Sequence, residues 1–108
     1  MLFGSGKYTY ELIEEWAKLP QGWTFTDGAG ITIDDKDNVF ILSRSTHPVT
    51  IWDRGGKLLG SWGEDYFKRA HETTFGPDKN IWCTDDGSHT VTKFTPDGKI
   101  LQVLGTRD

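Results

Sequence analysis

Apolar residues along this chain gather in short alternating runs of four to six, and each run is closed by a turn rich in Asp, Gly or Pro. Runs of that length, carrying Val, Ile, Thr, Phe and Trp, predict β-strands rather than helices. Eight are evident: GITI, NVFIL, VTIWD and KLLGSW, then ETTF, NIWCT, VTKFT and KILQVL. The turns between them include DDKD, GPDK, RGG and PDG, and Asp97-Gly98 is a strong hairpin signal because Gly tolerates a positive φ.

The two groups of four are copies. A shift of 42 residues lays 25–63 over 67–105, with ten of the thirty-nine positions identical. Among them are Phe25/Phe67, Thr32/Thr74, Asn38/Asn80, His47/His89 and Gly56/Gly98, and Val39/Ile81 and Trp52/Phe94 keep their character. Four strands repeating every ~40–45 residues are the mark of a β-propeller blade. The expected fold is therefore all-β, with residues 1–108 as one two-bladed unit: blade one over 25–63 and blade two over 67–105. Helix-forming residues are frequent in YTYELIEEWAKLP, but ELIEEWAK aligns with KLLGSWGE, Trp16 over Trp62. Residues 8–17 are accordingly predicted to be the outer strand of a neighbouring blade.

A blade has an apolar face on each side, so two blades alone leave two such faces open. Head-to-tail closure of three chains, a homotrimer with six blades, would cover them. Each chain then offers three outer-type strands for two blades, one more than a ring needs.

Composition narrows the partners. A net charge of −4 excludes the clustered basic face that nucleic acid needs. No run of eighteen apolar residues predicts a membrane span, and the opening MLFGSGKYTYELIEEW does not read as a signal peptide. A single cysteine, Cys83, permits neither an intrachain disulfide nor a CxxC metal pair, so a reducing, cytoplasmic setting is the default expectation. Strand alternation places Cys83 in the core, and Trp23, Trp52, Trp62 and Trp82 are expected to fill space between blades. His47 and His89 recur at the same offset and are assigned to architecture. The acidic turns Asp34–Asp37 and Asp85-Asp86 raise structural calcium, but they lack the regular ligand spacing of a calcium loop and read as solvated turns.

The run RAHETTFGPDKNIWCTDDGSHTVTKFTPDGKILQVLG resembles the NHL-repeat propellers, and within them the peptidyl-hydroxyglycine alpha-amidating lyases. The likeness covers residues 8–105, about one third of a six-bladed member. It implies an axial zinc held by three histidines from the Pro-His segments of alternating blades. His71 occupies that position, and Ala29 stands there in the first repeat. Three copies of His71 around a threefold axis would form a three-imidazole set with an open fourth position, at Zn–N distances of ~2.0–2.1 Å. The resemblance also implies that Arg44, opposite Asp86 in the repeat, faces the cavity and pairs with a substrate carboxylate. The family's catalytic tyrosine falls at Gly87 or Ser45, and its Pro-His-Gly reads Ala70-His71-Glu72. Two functions are thus expected as alternatives: a lyase-like enzyme, or a non-catalytic NHL module that takes a small molecule or peptide in its channel, or a protein partner.

Overall fold

The computed structural model describes all residues from Met1 to Asp108. Ten strands form: β1 (Leu2–Ser5), β2 (Tyr8–Glu11), β3 (Gly28–Ile33), β4 (Val39–Ser43), β5 (Val49–Trp52), β6 (Leu58–Trp62), β7 (Ala70–Phe75), β8 (Ile81–Asp85), β9 (Thr90–Phe94) and β10 (Ile100–Leu104). They make two antiparallel four-stranded meanders, β3-β4-β5-β6 and β7-β8-β9-β10, and a separate hairpin, β1-β2. All eight repeat strands lie where alternation places them. No helix forms, so none is long and apolar enough to cross a membrane.

The two sheets stack face to face with their first strands, β3 and β7, side by side. Pairing register shows which residues meet. Leu42 lies opposite Val49, and Phe40 opposite Ile51, on one face of the first sheet. That face packs on Ala70, Ile81, Cys83 and Phe94 of the second sheet to form the one core cluster of the molecule. Further ties cross the junction. The Phe75 N–H donates to Thr32 Oγ1 at 3.2 Å, and Phe40 meets the Phe75 ring edge-on at 4.9 Å. The Arg44 Nε–H donates to the Ala70 carbonyl at 2.9 Å. Gly30 permits the close approach: a Cβ built there would lie 2.7 Å from the Thr73 amide nitrogen. Gly30→Ala is therefore expected to push the sheets apart at a cost of about 1–3 kcal/mol, read as a lower urea midpoint.

An aromatic set repeats with the sequence. Trp62 packs on Phe94 at 4.7 Å and its Nε1–H donates to the Pro96 carbonyl at 3.0 Å, while Phe67 lies 6.0 Å from Phe94. Forty-two residues earlier, Trp52 has the Phe94 place and Phe25 lies 6.0 Å from it. The Trp62 role there belongs to Trp16, which lies 6.4 Å from Trp52 and donates to the Arg54 carbonyl at 3.2 Å.

Residues 8–17 do not form the single outer strand expected of them. Only Tyr8–Glu11 is extended, and it pairs with Leu2–Ser5 instead of with a blade. A strand must satisfy its backbone groups, and here it does so against Leu2–Ser5, the chain folding back on itself through Gly6 at φ +58°. Trp16, five residues past β2, still holds the position that its alignment with Trp62 assigned.

Candidate functional site

His71 lies on β7, the first strand and one edge of the second sheet, at an irregularity in its pairing. The β7–β8 register pairs Ala70 with Asp85 and Glu72 with Thr84, so His71 is the extra residue of a β-bulge. A bulge bends its strand and re-aims the side chain it leaves unpaired. The imidazole is exposed. The same irregularity falls between Gly28 and Gly30, around Ala29. Both blades therefore share the backbone device, and only one carries a histidine on it.

Arg44 reaches the strand that carries His71. Arg44 is half-buried, and its hydrogen bond to the Ala70 carbonyl ends one residue short of His71. The guanidinium is thus partly committed to joining the blades. The cleft beside it, lined in part by Ser45, Pro48 and Lys68, holds about 90 Å³. That is well below the ~300 Å³ at which ligand pockets begin. No group of three His, Cys, Asp or Glu side chains comes together to hold a metal.

The Asp85-Asp86 turn is only half solvated, contrary to expectation. Asp85 is 1% exposed, and its carboxylate accepts the N–H groups of Lys68 and Arg69, both at 2.8 Å, and of Gly87 and Ser88 at 3.0 and 3.2 Å. Burial opposes its charge, but these amide donors outweigh burial and hold the carboxyl below its ordinary value. The carboxylate ties the loop after β8 to the chain entering β7, which fixes the start of the strand bearing His71. The first repeat has Ser43 at this position, bonded to Ser45 Oγ at 2.9 Å. That Ser/Asp difference was a signal in the sequence that alternation alone did not use.

The two shared histidines diverge in their surroundings. His47 stacks on Trp23 at 3.5 Å and 8°, with Nδ1 3.7 Å from Glu64. His89 is exposed, adopts φ +61° and lies 3.6 Å from Asp108. Trp23 has no aromatic counterpart, since Asp65 stands at its repeat position, so repeat comparison could not assign it a shared role. Cys83 is buried as expected, and burial pushes its thiol up to about 11, an inert group rather than a nucleophile.

No family model matches the chain. It is 42% identical over 53 residues to peptidyl-alpha-hydroxyglycine alpha-amidating lyase 1 of Drosophila melanogaster, a match covering 46% of this chain and 10% of that protein. It is 29% identical over 111 aligned positions to human NHL repeat-containing protein 3, covering 93% of this chain and 31% of the relative. Virginiamycin B lyase from Staphylococcus aureus, a solved structure, superimposes on 79% of this chain and 29% of its own with a TM-score of 0.60 at 21% identity, a likeness of fold. The chain is thus similar to NHL-repeat and amidating-lyase proteins and spans a third or less of their length.

Proposed function

We propose that the chain is an assembly-dependent segment of an NHL-type propeller: a two-blade scaffold by itself and, within a closed ring, the carrier of one axial imidazole. The observation behind this reading is the bulge at His71, which points an exposed side chain from the first strand of its sheet where the sister bulge carries Ala29. A ligand at the axis would be shared among blades. Zinc there would need donors from other blades and would supply Lewis-acid chemistry; what this chain contributes is one imidazole and the strand that orients it.

The second reading is the three-copy ring with lyase-like activity, favoured by the His71/Ala29 alternation together with the Drosophila relative. Junction chemistry weighs against it. Repeating the internal junction between copies would bring Glu72 where Gly30 is needed, Asp86 where Arg44 donates to a carbonyl, and Leu104 where Trp62 donates to one. In addition, Trp16 of the same chain already fills the place on Trp52 that Leu104 of a second copy would take.

Solution mass and zinc content of the wild type and His71→Ala decide between them. The expected result is no discrete trimer, no stoichiometric zinc and no cleavage of a hydroxyglycine peptide by the chain alone. A species of three times 12.2 kDa, with about one zinc per three chains that is lost in His71→Ala, would replace the segment reading with the lyase-like ring.

A further inference from the structure

The open face of blade one and the isolated N-terminal hairpin bear on each other. Ile31 pairs with Ile41 and Ile33 with Val39, so these side chains point away from blade two. Ile31 and Ile33 are 62% and 56% exposed. In blade two the matching positions are Thr73 and Phe75, which the first blade covers. Blade one therefore has a receiving face of the kind blade two has, with no sheet upon it. Its inner end is a groove of about 540 Å³ walled by Phe25, Ile31, Ile41 and Glu72.

The hairpin is equally unpartnered. All eight residues of β1 and β2 are exposed, and it makes no substantial contact with either blade. A lone two-stranded hairpin is marginal in water. It resembles the outer half of a blade in two respects. It closes on Gly6-Lys7, as β5–β6 closes on Gly56-Lys57 and β9–β10 on Gly98-Lys99, each with the glycine at positive φ. It also leads to Trp16, which engages blade one as Trp62 at the end of β6 engages blade two. The connections differ in one respect: β6 runs directly into Trp62, whereas residues 12–15 intervene before Trp16.

We infer that β1 and β2 are the third and fourth strands of a blade whose first two strands come from a partner segment, which pairs with the free edge of β1 and lies on Ile31 and Ile33 of blade one. This rests on the ring-segment reading above. The partner is an antiparallel strand pair, and the internal junction specifies its chemistry: a glycine as at Gly30, a hydroxyl acceptor as at Thr32, an aromatic as at Phe40 and an arginine as at Arg44. Strand addition of this kind gains affinity from main-chain hydrogen bonds and specificity from the side chains that enter the face. A second copy does not fit, because both of its four-stranded sheets are already complete.

Residues 25–44 of this chain carry all four features, so a synthetic peptide of that sequence is the probe. Added to the full chain, it is expected to bind saturably and to slow amide exchange of Leu2–Ser5 at least tenfold. Gly30→Glu or Phe40→Asp in the peptide, and Ile33→Asp in the chain, should each weaken binding tenfold or more. Ile33 is exposed, so its replacement leaves the fold intact. Absence of binding at millimolar peptide, binding without protection of β1, or binding indifferent to Ile33→Asp would overturn the inference. A discrete trimer of the chain alone would instead overturn the ring-segment reading on which it stands.

Discussion

Trp52→Ala is expected to remove about 3–5 kcal/mol of folding stability, the cost of emptying a fully buried indole site. Trp52 has no exposed surface, and Trp16 and Phe25 pack on it from outside the sheet. Its Nε1–H donates to Thr50 Oγ1 at 2.8 Å, so truncation also strands a buried hydroxyl. A domain of this size has a total of roughly 5–15 kcal/mol to lose. Urea unfolding followed by tryptophan fluorescence should show the midpoint falling by about a fifth or more. Because Trp16 anchors the N-terminal segment through Trp52, exchange of residues 12–18 should rise well before the sheets open. A midpoint within error of wild type would mean that the outer aromatic set contributes nothing to the blade.

Asp85→Asn is the second large effect, at about 2–4 kcal/mol. Hydrogen bonds to a charged acceptor are worth ~1.5–3 kcal/mol, and the amide that replaces the carboxylate turns a donor toward backbone N–H groups. The effect depends on pH in a defined direction. The folded carboxyl sits below the ordinary aspartate value of 3.8, so its contribution is complete above that pH and is lost as pH falls through the lower folded value. Asp78, brought to about 2 by the Lys93 ammonium, and the lowered Asp35 and Asp97 are exposed and remain in both proteins. The difference between wild type and Asp85→Asn should therefore shrink as pH falls below 3.8, as followed by urea midpoints from pH 6 down to 2. A constant difference over that range would remove the carboxylate's charge from the explanation.

Repetition made the sheets legible. Identical residues at Thr32/Thr74, Asn38/Asn80 and Gly56/Gly98 sit at equivalent places in the two meanders, so alternation and turn chemistry agreed twice over. The N-terminal segment was legible in part: Tyr8–Glu11 is extended as expected, though paired with Leu2–Ser5. Trp16 was matched to Trp62 and behaves like it, but residues 12–17 form no strand. Asp85 shows a different limit. A turn aspartate looks solvated until the fold brings the Lys68 and Arg69 amides against it, seventeen and sixteen residues away. At the candidate site, His71 stood out by contrast with Ala29. The bulge beneath it was not readable, since one unpaired residue leaves no mark on periodicity.

That bulge bears on how a repeat of this kind can change the side chain it presents. The kink is the part that is hard to acquire, because an extra residue must enter a paired strand without disturbing its neighbours. Blade one already has it, with alanine at the apex. What such a bulge presents is then decided by one side chain on a pre-bent backbone, so an imidazole can be gained or lost there by a single substitution while the sheets stay as they are. The paired bulges at Ala29 and His71 thus separate the choice of apex side chain from the fold of the sheet that carries it.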